Sequence, residues 1–193
     1  MTKQDIKTAI ILAAIECINR NGIEGISVRA IAKEAGVNIA AINYYFGAKE
    51  NLLTIVMNRT MDELFVSNIS ETFDNPAMTQ QQALQHYMTV MLYGMIRYSG
   101  LIKVHLHNFV TNEALAANFF LRLGSVKIKI ANALKAYNPS ITDDDSLIRA
   151  SELFSIVAFI GFWPQSADGL GYNLSSYDDI GKYIKDCIDR CIR

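Results

Sequence analysis

The sequence predicts an all-α chain with two parts, a small amino-terminal bundle of three helices and a larger helical region. Three observations favour this fold class. Apolar residues repeat every three or four positions along most of the chain. Glycine, asparagine and proline residues interrupt the repeat, at short intervals first and at longer intervals later. No stretch shows the alternation of β-branched residues that is typical of strands.

The first three helices are short, and each has recognisable end signals. Asparagine and glycine tolerate the left-handed conformation that follows a helix, and serine and asparagine are favoured N-caps. The helices are predicted at about residues 6–20, 28–35 and 38–46, with end signals at Asn21-Gly22, Ser27, Gly36, Asn38 and Phe46-Gly47.

Longer helices follow. The fourth is predicted from Ala48 or Lys49 to about residue 74, where Asn75-Pro76 stops it. The others are predicted at about residues 79–98, 100–109, 112–136, 143–165 and 176–191.

Composition excludes several functional classes. The formal net charge of −1 argues against a binder with a strongly basic tail or patch. The longest apolar runs fall short of the roughly 18 residues that a membrane-spanning helix needs, so no membrane association is expected. The chain lacks a Glu-x-x-His pair, a phosphate-binding glycine loop, a nucleophile elbow and a Cys/His cluster, which predicts no enzyme, cofactor or metal. The three cysteines fit a reducing cytoplasm, and Cys187 and Cys191 suit packing better than a redox pair.

The stretch VRAIAKEAGVNIAAINYYFGAKENLL, residues 28–53, fits a helix-turn-helix. Ala32 offers the small side chain needed where the two helices are closest, and Gly36 offers a left-handed turn residue. An ordinary helical hairpin that turns at glycine would show the same pattern. The shared core is predicted to contain Ile31, Ala35, Val37 and Ile42.

The segment GVNIAAINYYFGAKENLL resembles the DNA-binding signature of the TetR family of transcriptional regulators. The likeness rests on the spacing of Gly36, Val37, Tyr45, Phe46 and Lys49, and it extends over about residues 6–53. It implies a helix-turn-helix DNA-binding domain at residues 1–50, joined to a larger helical effector-binding and dimerisation domain at residues 51–193. The implied partners are a palindromic operator in double-stranded DNA, a small-molecule effector and a second copy of the chain.

The resemblance also assigns roles to residues of the predicted DNA-binding domain, residues 1–50, which we call the reading head. Tyr45 and Phe46 would pack the recognition helix against its neighbours, whereas Tyr44 would point outward. Ala48 stands where a capping serine is usual, which predicts a cap weaker by about 1 kcal/mol. Contacts to the DNA backbone or groove edges are expected from Arg29, Tyr44 and Lys49, and base reading from Asn38, Ile39, Ala40, Ala41 and Asn43.

Two further sets of residues are expected in the second domain. A plain core would explain the first set too, although a pocket is slightly favoured, and it must account for part of the second set. Adaptable methionine and aromatic side chains suggest the wall of an effector pocket. The pocket residues would be His86, Met88, Met91, Tyr93, Met95, His105, Phe109, Phe119 and Phe120. The dimer interface would contain Leu153, Ile156, Val157, Ile160, Trp163, Ile180, Ile184 and Ile188.

The resemblance implies a dimeric repressor that a small hydrophobic or amphiphilic effector releases from its operator. Two alternatives to a repressor stay open on the sequence. One is a transcriptional activator of the same fold. The other is a helical interaction protein whose head no longer binds DNA.

Overall fold

The structure, a computed structural model, describes residues 2–23, 25–65, 67–111 and 113–192, apart from the side chains at 61, 64, 65, 67, 68, 70, 114–119 and 122. The described residues form α-helices and one short 3-10 helix and contain no strand, which confirms the all-α class. The helices are α1 (Lys3–Asn21), α2 (Val28–Ala35), α3 (Ile39–Phe46), α4 (Lys49–Phe65), α5 (Ser67–Phe73), α6 (Gln80–Arg97), α7 (Ser99–Thr111), α8 (Glu113–Tyr137), α9 (Asp143–Phe162) and α10 (Tyr177–Cys191).

Most helix ends lie where the sequence predicts them. The Ser27 hydroxyl accepts a hydrogen bond from the Ala30 N–H and caps α2. The span predicted as one fourth helix contains α4 and α5, which lie on either side of residue 66. By contrast, α9 ends at Phe162, three residues earlier than predicted, because Pro164 disfavours helical geometry at Trp163. A 3-10 helix, Pro164–Ala167, follows.

The chain divides into two compact units, Met1–Asp62 with Tyr98–Thr111, and Glu63–Arg97 with Asn112–Arg193. The sequence predicted a boundary at residues 50 and 51 and placed α7 in the second part, whereas in the structure α7 belongs to the first unit. A buried cluster explains this membership, because it joins α7 to the first four helices. Its large members include Ile10, Ile18, Ile31, Ile42, Phe46, Leu52, Val56, Leu101 and Val104.

Two polar contacts also hold α7 in the first unit. The Gly100 N–H donates to Asn19 Oδ1 over 3.0 Å. A Cβ at position 100 would lie 2.3 Å from the Asn19 carbonyl oxygen, so this approach of α7 to the end of α1 requires glycine. Farther along α7, His105 Nε2 lies 3.0 Å from Thr60 Oγ1 on α4. Because the Thr60 hydroxyl donates its own hydrogen to the Val56 carbonyl oxygen, its oxygen accepts a hydrogen bond from the Nε2–H of His105.

The second unit is built around α6, which packs against α5, α8, α9 and α10. Its interior is filled with the methionines of α6 and with aliphatic side chains of α8, α9 and α10. Gly161 on α9 lies directly against Met95, since a Cβ there would be 2.6 Å from the Met95 sulfur. Among the described residues, no helix has the length and apolar character needed to span a bilayer.

The buried His105 predicts a specific loss of stability in acid. Burial lowers the pKa of His105 to about 4, from an ordinary value of 6.5. The unfolded chain therefore takes up this proton below pH 6.5, while the folded chain does not. We expect His105 to remove about 3 kcal/mol from the free energy of unfolding as the pH falls from 6.5 to 4.

Urea denaturation at a series of pH values measures this effect. Carboxylates also titrate in this range, so the comparison is between His105→Gln and His107→Gln, which replaces an exposed histidine of the same helix. The His105 variant should show the flatter dependence on pH. Parallel curves for the two variants would contradict the assignment.

Candidate nucleic-acid interface

A glycine turn sets the angle between α2 and α3. Gly36 has a φ of 65°, in the left-handed region, and ends α2. The Val37 N–H donates to the Ala32 carbonyl oxygen over 3.0 Å, which closes the turn. Ile31, Ala32 and Ile42 are buried between the helices, and Ala35 and Val37 pack at the edge of the same cluster. The predicted helix-turn-helix geometry is confirmed.

Three successive aromatic residues orient α3. Phe46 is buried, with Lys7 Nζ 5.9 Å from its ring centroid, and Tyr45 is half-buried against the core cluster. Tyr44 is 73 % exposed, and its ring meets that of Tyr45 edge-on at 5.0 Å. The predicted inward and outward directions of these side chains are therefore confirmed.

The outward face of α3 contains the other predicted reading residues. Ile39, Ala40 and Asn43 are exposed, while Ala41 is half-buried. Asn38 precedes the helix, and its Oδ1 accepts a hydrogen bond from the Ala40 N–H over 3.0 Å. Consequently Asn38 is an N-cap in the free protein, and only its amide NH₂ remains for a partner.

Cationic groups flank this face, but not all of them are available to bind a phosphate. Arg29 is exposed on α2, as is Lys33 one helical turn later. We had no prediction for Lys33, although its four-residue spacing from Arg29 is the signal that places both on one face. Arg20 forms an ion pair with Glu34. Lys49 Nζ donates to the Ile26 carbonyl oxygen over 2.7 Å, so one of its three N–H groups is used inside the head.

The amino terminus of α4 has no capping side chain. The Leu52 N–H donates to the Ala48 carbonyl oxygen over 3.3 Å, which makes Ala48 the N-cap position. Alanine offers no oxygen to the free amides of the first turn. These amides, with the positive end of the helix dipole, favour an anion at this end of α4.

Comparisons with known proteins agree with this geometry. Residues 10–55, which run from α1 into α4, match the family model described as bacterial regulatory proteins, tetR family. This segment of the chain is therefore similar to the amino-terminal DNA-binding region of the TetR family. It is 35% identical over 97 residues to the HTH-type transcriptional regulator YttP of Bacillus subtilis, a match that covers 47% of this chain and 44% of YttP. It is also 35% identical over 78 residues to BetI of Vibrio atlanticus, covering 40% of this chain and 39% of BetI. The matches thus span less than half the length of these relatives.

TetR-family crystal structures share the fold of the whole chain. A TetR-family protein from Mesorhizobium loti superposes with a TM-score of 0.70 at 17% identity, covering 100% of this chain and 97% of the other. A TetR-like transcriptional regulator from Rhodococcus has a TM-score of 0.65 at 16% identity, with coverage of 96% and 94%. The relatives and structures named here are regulators and not enzymes, in agreement with the prediction from sequence.

The residues predicted for the TetR-type effector pocket are not gathered into one cavity. Met88, Met91 and Met95 are fully buried in the core of the second unit. His105 and Phe109 belong to the first unit, and Phe120 is exposed. Tyr93 is half-buried and meets Tyr177 edge-on, with ring centroids 5.4 Å apart. The side chain of Phe119 lies outside the described residues. The effector pocket stays a prediction.

His86 is the predicted pocket residue that borders open space. It is exposed and lines a cleft of about 590 Å³ between α6 and α10. The opposite wall contains Tyr177, Lys182 and Lys185, but the two lysines are paired with Asp179 and Asp189 of their own helix. A second cleft of about 350 Å³ adjoins His86 on the side of α5. These two clefts therefore lie at the surface of the second unit, beside the buried methionines of α6.

The residues predicted for the dimer interface separate into two groups. Six are buried in the protomer's own core, because they face α6 and the neighbouring helices, and their side chains do not reach the surface. They are Leu153, Val157, Ile160, Ile180, Ile184 and Ile188. The other two, Ile156 and Trp163, are exposed on α9 and at its end. Of the predicted interface residues, those on α10 therefore face inward, and the exposed ones lie on α9 and at its end.

The uncapped start of α4 predicts that Ala48→Ser stabilises the head. A serine hydroxyl at this position can accept a hydrogen bond from the first turn of α4, which should add about 1 kcal/mol to the free energy of unfolding. Urea denaturation gives the measurement. Ala136→Ser, at an exposed position inside α8, is the matched control and should give no gain. Equal effects of the two changes would contradict the capping argument.

Proposed function

We propose that the chain regulates transcription as a homodimer that binds a palindromic operator and is released by a small hydrophobic or amphiphilic effector. The observation that supports this most is the free, outward face of α3, which the Gly36 turn and the buried Phe46 hold in place. An α-helix held in this way fits the major groove of B-DNA. Repression is the usual action in the family and is the one we propose.

Phosphate contacts would come from groups on both sides of α3. Arg29 and Lys33 on α2 are exposed cations, and the Tyr44 hydroxyl can donate to a phosphate oxygen. On the other side, Lys49 keeps two free N–H donors at the amino terminus of α4. These contacts would position the head, and the side chains of α3 would read the bases.

A dimer is proposed because one head offers few cations. Nonspecific affinity comes mainly from neutralised phosphates, so two heads on a palindrome would bind far better than one. The second unit has a suitable surface for pairing. Ile148, Ile156 and Phe159 lie on one face of α9, with Trp163 directly after it, and all four are exposed. The ring centroids of Phe159 and Trp163 are 5.3 Å apart. Such a row of large apolar side chains favours a partner helix over water.

Release would follow from a preference of the effector for one arrangement of the dimer. A ligand shifts a conformational equilibrium only by its difference in affinity for the two states. We propose that it binds the second unit and that α4, which begins in the first unit and ends in the second, transmits the change.

Selection of bound duplexes from a random DNA pool at moderate salt tests the proposal. We expect the ligand-free protein to enrich a palindrome, because two identical heads related by a twofold axis read two inverted half-sites. The control is the double variant Arg29→Ala, Tyr44→Ala. It removes two exposed side chains and leaves Lys49, which also holds the Ile26 carbonyl, unchanged.

The control should fold like the wild type and enrich no sequence. If the wild type itself enriched no palindrome, the proposal of a dimeric DNA-binding regulator would fail. The result would then favour an interaction protein with an inactive head.

The apolar row on α9 predicts that Phe159→Glu produces a monomer. Phe159 is 54 % exposed in the protomer, so a charged residue is tolerated there in the monomer but is buried unpaired in the proposed dimer. Sedimentation velocity should give half the mass of the wild-type assembly.

The matched control is Leu170→Glu, which places the same charge at a similarly exposed leucine, 50 %, in the loop before α10. It should leave the mass unchanged. A Phe159→Glu protein that sediments like the wild type would place the dimer interface elsewhere.

A further inference from the structure

We propose that the base pairs contacted by α3 are A·T pairs, recognised through thymine methyl groups and a single adenine. This inference rests on the proposed DNA-binding function and specifies which bases the same face accepts. It follows from the chemistry of the side chains that α3 exposes, and from the one amide that the structure leaves free.

The exposed face of α3 contains no charge. With Ile42 and Phe46 buried, Ala40 and Asn43 lie on other sides of the helix and are exposed, and Ile39, on the same side as Ile42 but in the first turn, is exposed in part. Tyr44, the remaining exposed residue, is placed for a phosphate. Ile39, Ala40, the Asn43 amide and the NH₂ group of Asn38, which precedes the helix, are thus the groups available to touch base edges.

This set of groups disfavours G·C pairs under the helix. Guanine presents two acceptors in the major groove, N7 and O6, and is read best by arginine or lysine. Cytosine presents an amino donor, which glutamate or aspartate accepts. None of these residues occurs in Ile39–Phe46. Arg29 on α2 can reach a guanine, so a G·C pair is expected beside α3 and not beneath it.

Only one of the two asparagines can read adenine with both of its amide groups. Adenine needs an acceptor for its N6 amino group and a donor for N7. The Asn38 oxygen is committed to the Ala40 N–H, which leaves Asn38 with donors alone. Asn43 is exposed, and its side-chain amide has no hydrogen-bond partner among the described residues. The structure therefore assigns one adenine in each half-site to Asn43.

The apolar residues suit the thymine methyl group. Ile39 is 38 % exposed, so part of its side chain is held against the protein and part faces outward. Ala40 presents its methyl group one position later. A C5-methyl group that packs against either side chain is removed from contact with water, which favours binding, as does the burial of any methyl-sized group. Since thymine pairs with adenine, these contacts and the Asn43 contact favour the same type of base pair.

Base analogues in the selected operator test this inference directly. Replacement of dT by dU removes only the methyl group, and 7-deazaadenine removes only the N7 acceptor. In fluorescence-anisotropy titrations at fixed salt, one dU beneath α3 should weaken wild-type binding about fourfold. The single 7-deazaadenine beneath Asn43 should weaken it about tenfold.

Matched variants connect each analogue to one residue. Ile39→Ala should lose the dU effect at one position and keep it at the others, and Asn43→Ala should lose the 7-deazaadenine effect. Leu12→Ala removes an exposed aliphatic side chain from α1 of the same unit, where Leu12 is 52 % exposed. It should keep all the analogue effects of the wild type.

The inference and the proposed function fail in different ways. A palindrome with G·C pairs at the centre of each half-site would overturn the inference and leave the DNA-binding function standing. An A·T-rich palindrome whose affinity is unchanged by dU and by 7-deazaadenine would also overturn the inference and leave the function standing. If no palindrome were enriched, the proposed function would fail, and the inference with it.

Discussion

The burial of one side of α3 is the constraint on which the reading face depends. Ile42 and Phe46 occupy the core of the first unit, and in a helix of 3.6 residues per turn this fixes the direction of every other side chain. Gly36 makes the burial possible, because its left-handed backbone brings α3 back across α2 without a steric cost. The outward direction of Asn43 and Tyr44 is thus a consequence of hydrophobic packing. Specificity can then change through the exposed positions while the core residues stay the same.

The head could be predicted almost completely from sequence, since its signals are local. A cap, a turn glycine and a buried aromatic act within a few residues, as the hydrogen bonds of Ser27 and Asn38 show. The second unit could not be predicted as well. A helical period marks which residues face the interior, but it does not tell a packed core from a pocket or an interface, so Met91 and Ile184 fitted several roles equally. The place of α7 was missed because it depends on contacts between residues far apart in the chain.

The number of cationic residues in the head is larger than the number of cations that are free to contact DNA. Arg20 is paired with Glu34, and its pKa is raised by that hydrogen bond and by the neighbouring carboxylate charge. Lys49 is tied to a backbone carbonyl. What remains is a small set of cations around the uncharged helix α3. Shape and apolar contacts therefore contribute a large share of the recognition of DNA. Fewer neutralised phosphates mean that the affinity of such a head for DNA falls less with added salt than that of a strongly basic one.

The contact between Gly100 and Asn19 shows which stretches of the chain are needed to complete the core of the first unit. The helix-turn-helix itself occupies one continuous segment, from the start of α2 to the end of α3. Here its core is completed by a helix from the middle of the chain, with Leu101 and Val104 buried beside Ile10 and Ile18. A transplanted amino-terminal segment would arrive with an open apolar surface, unless the recipient supplied a helix with glycine at the matching place. The packing of this DNA-binding unit is therefore tied to a second, distant stretch of the chain.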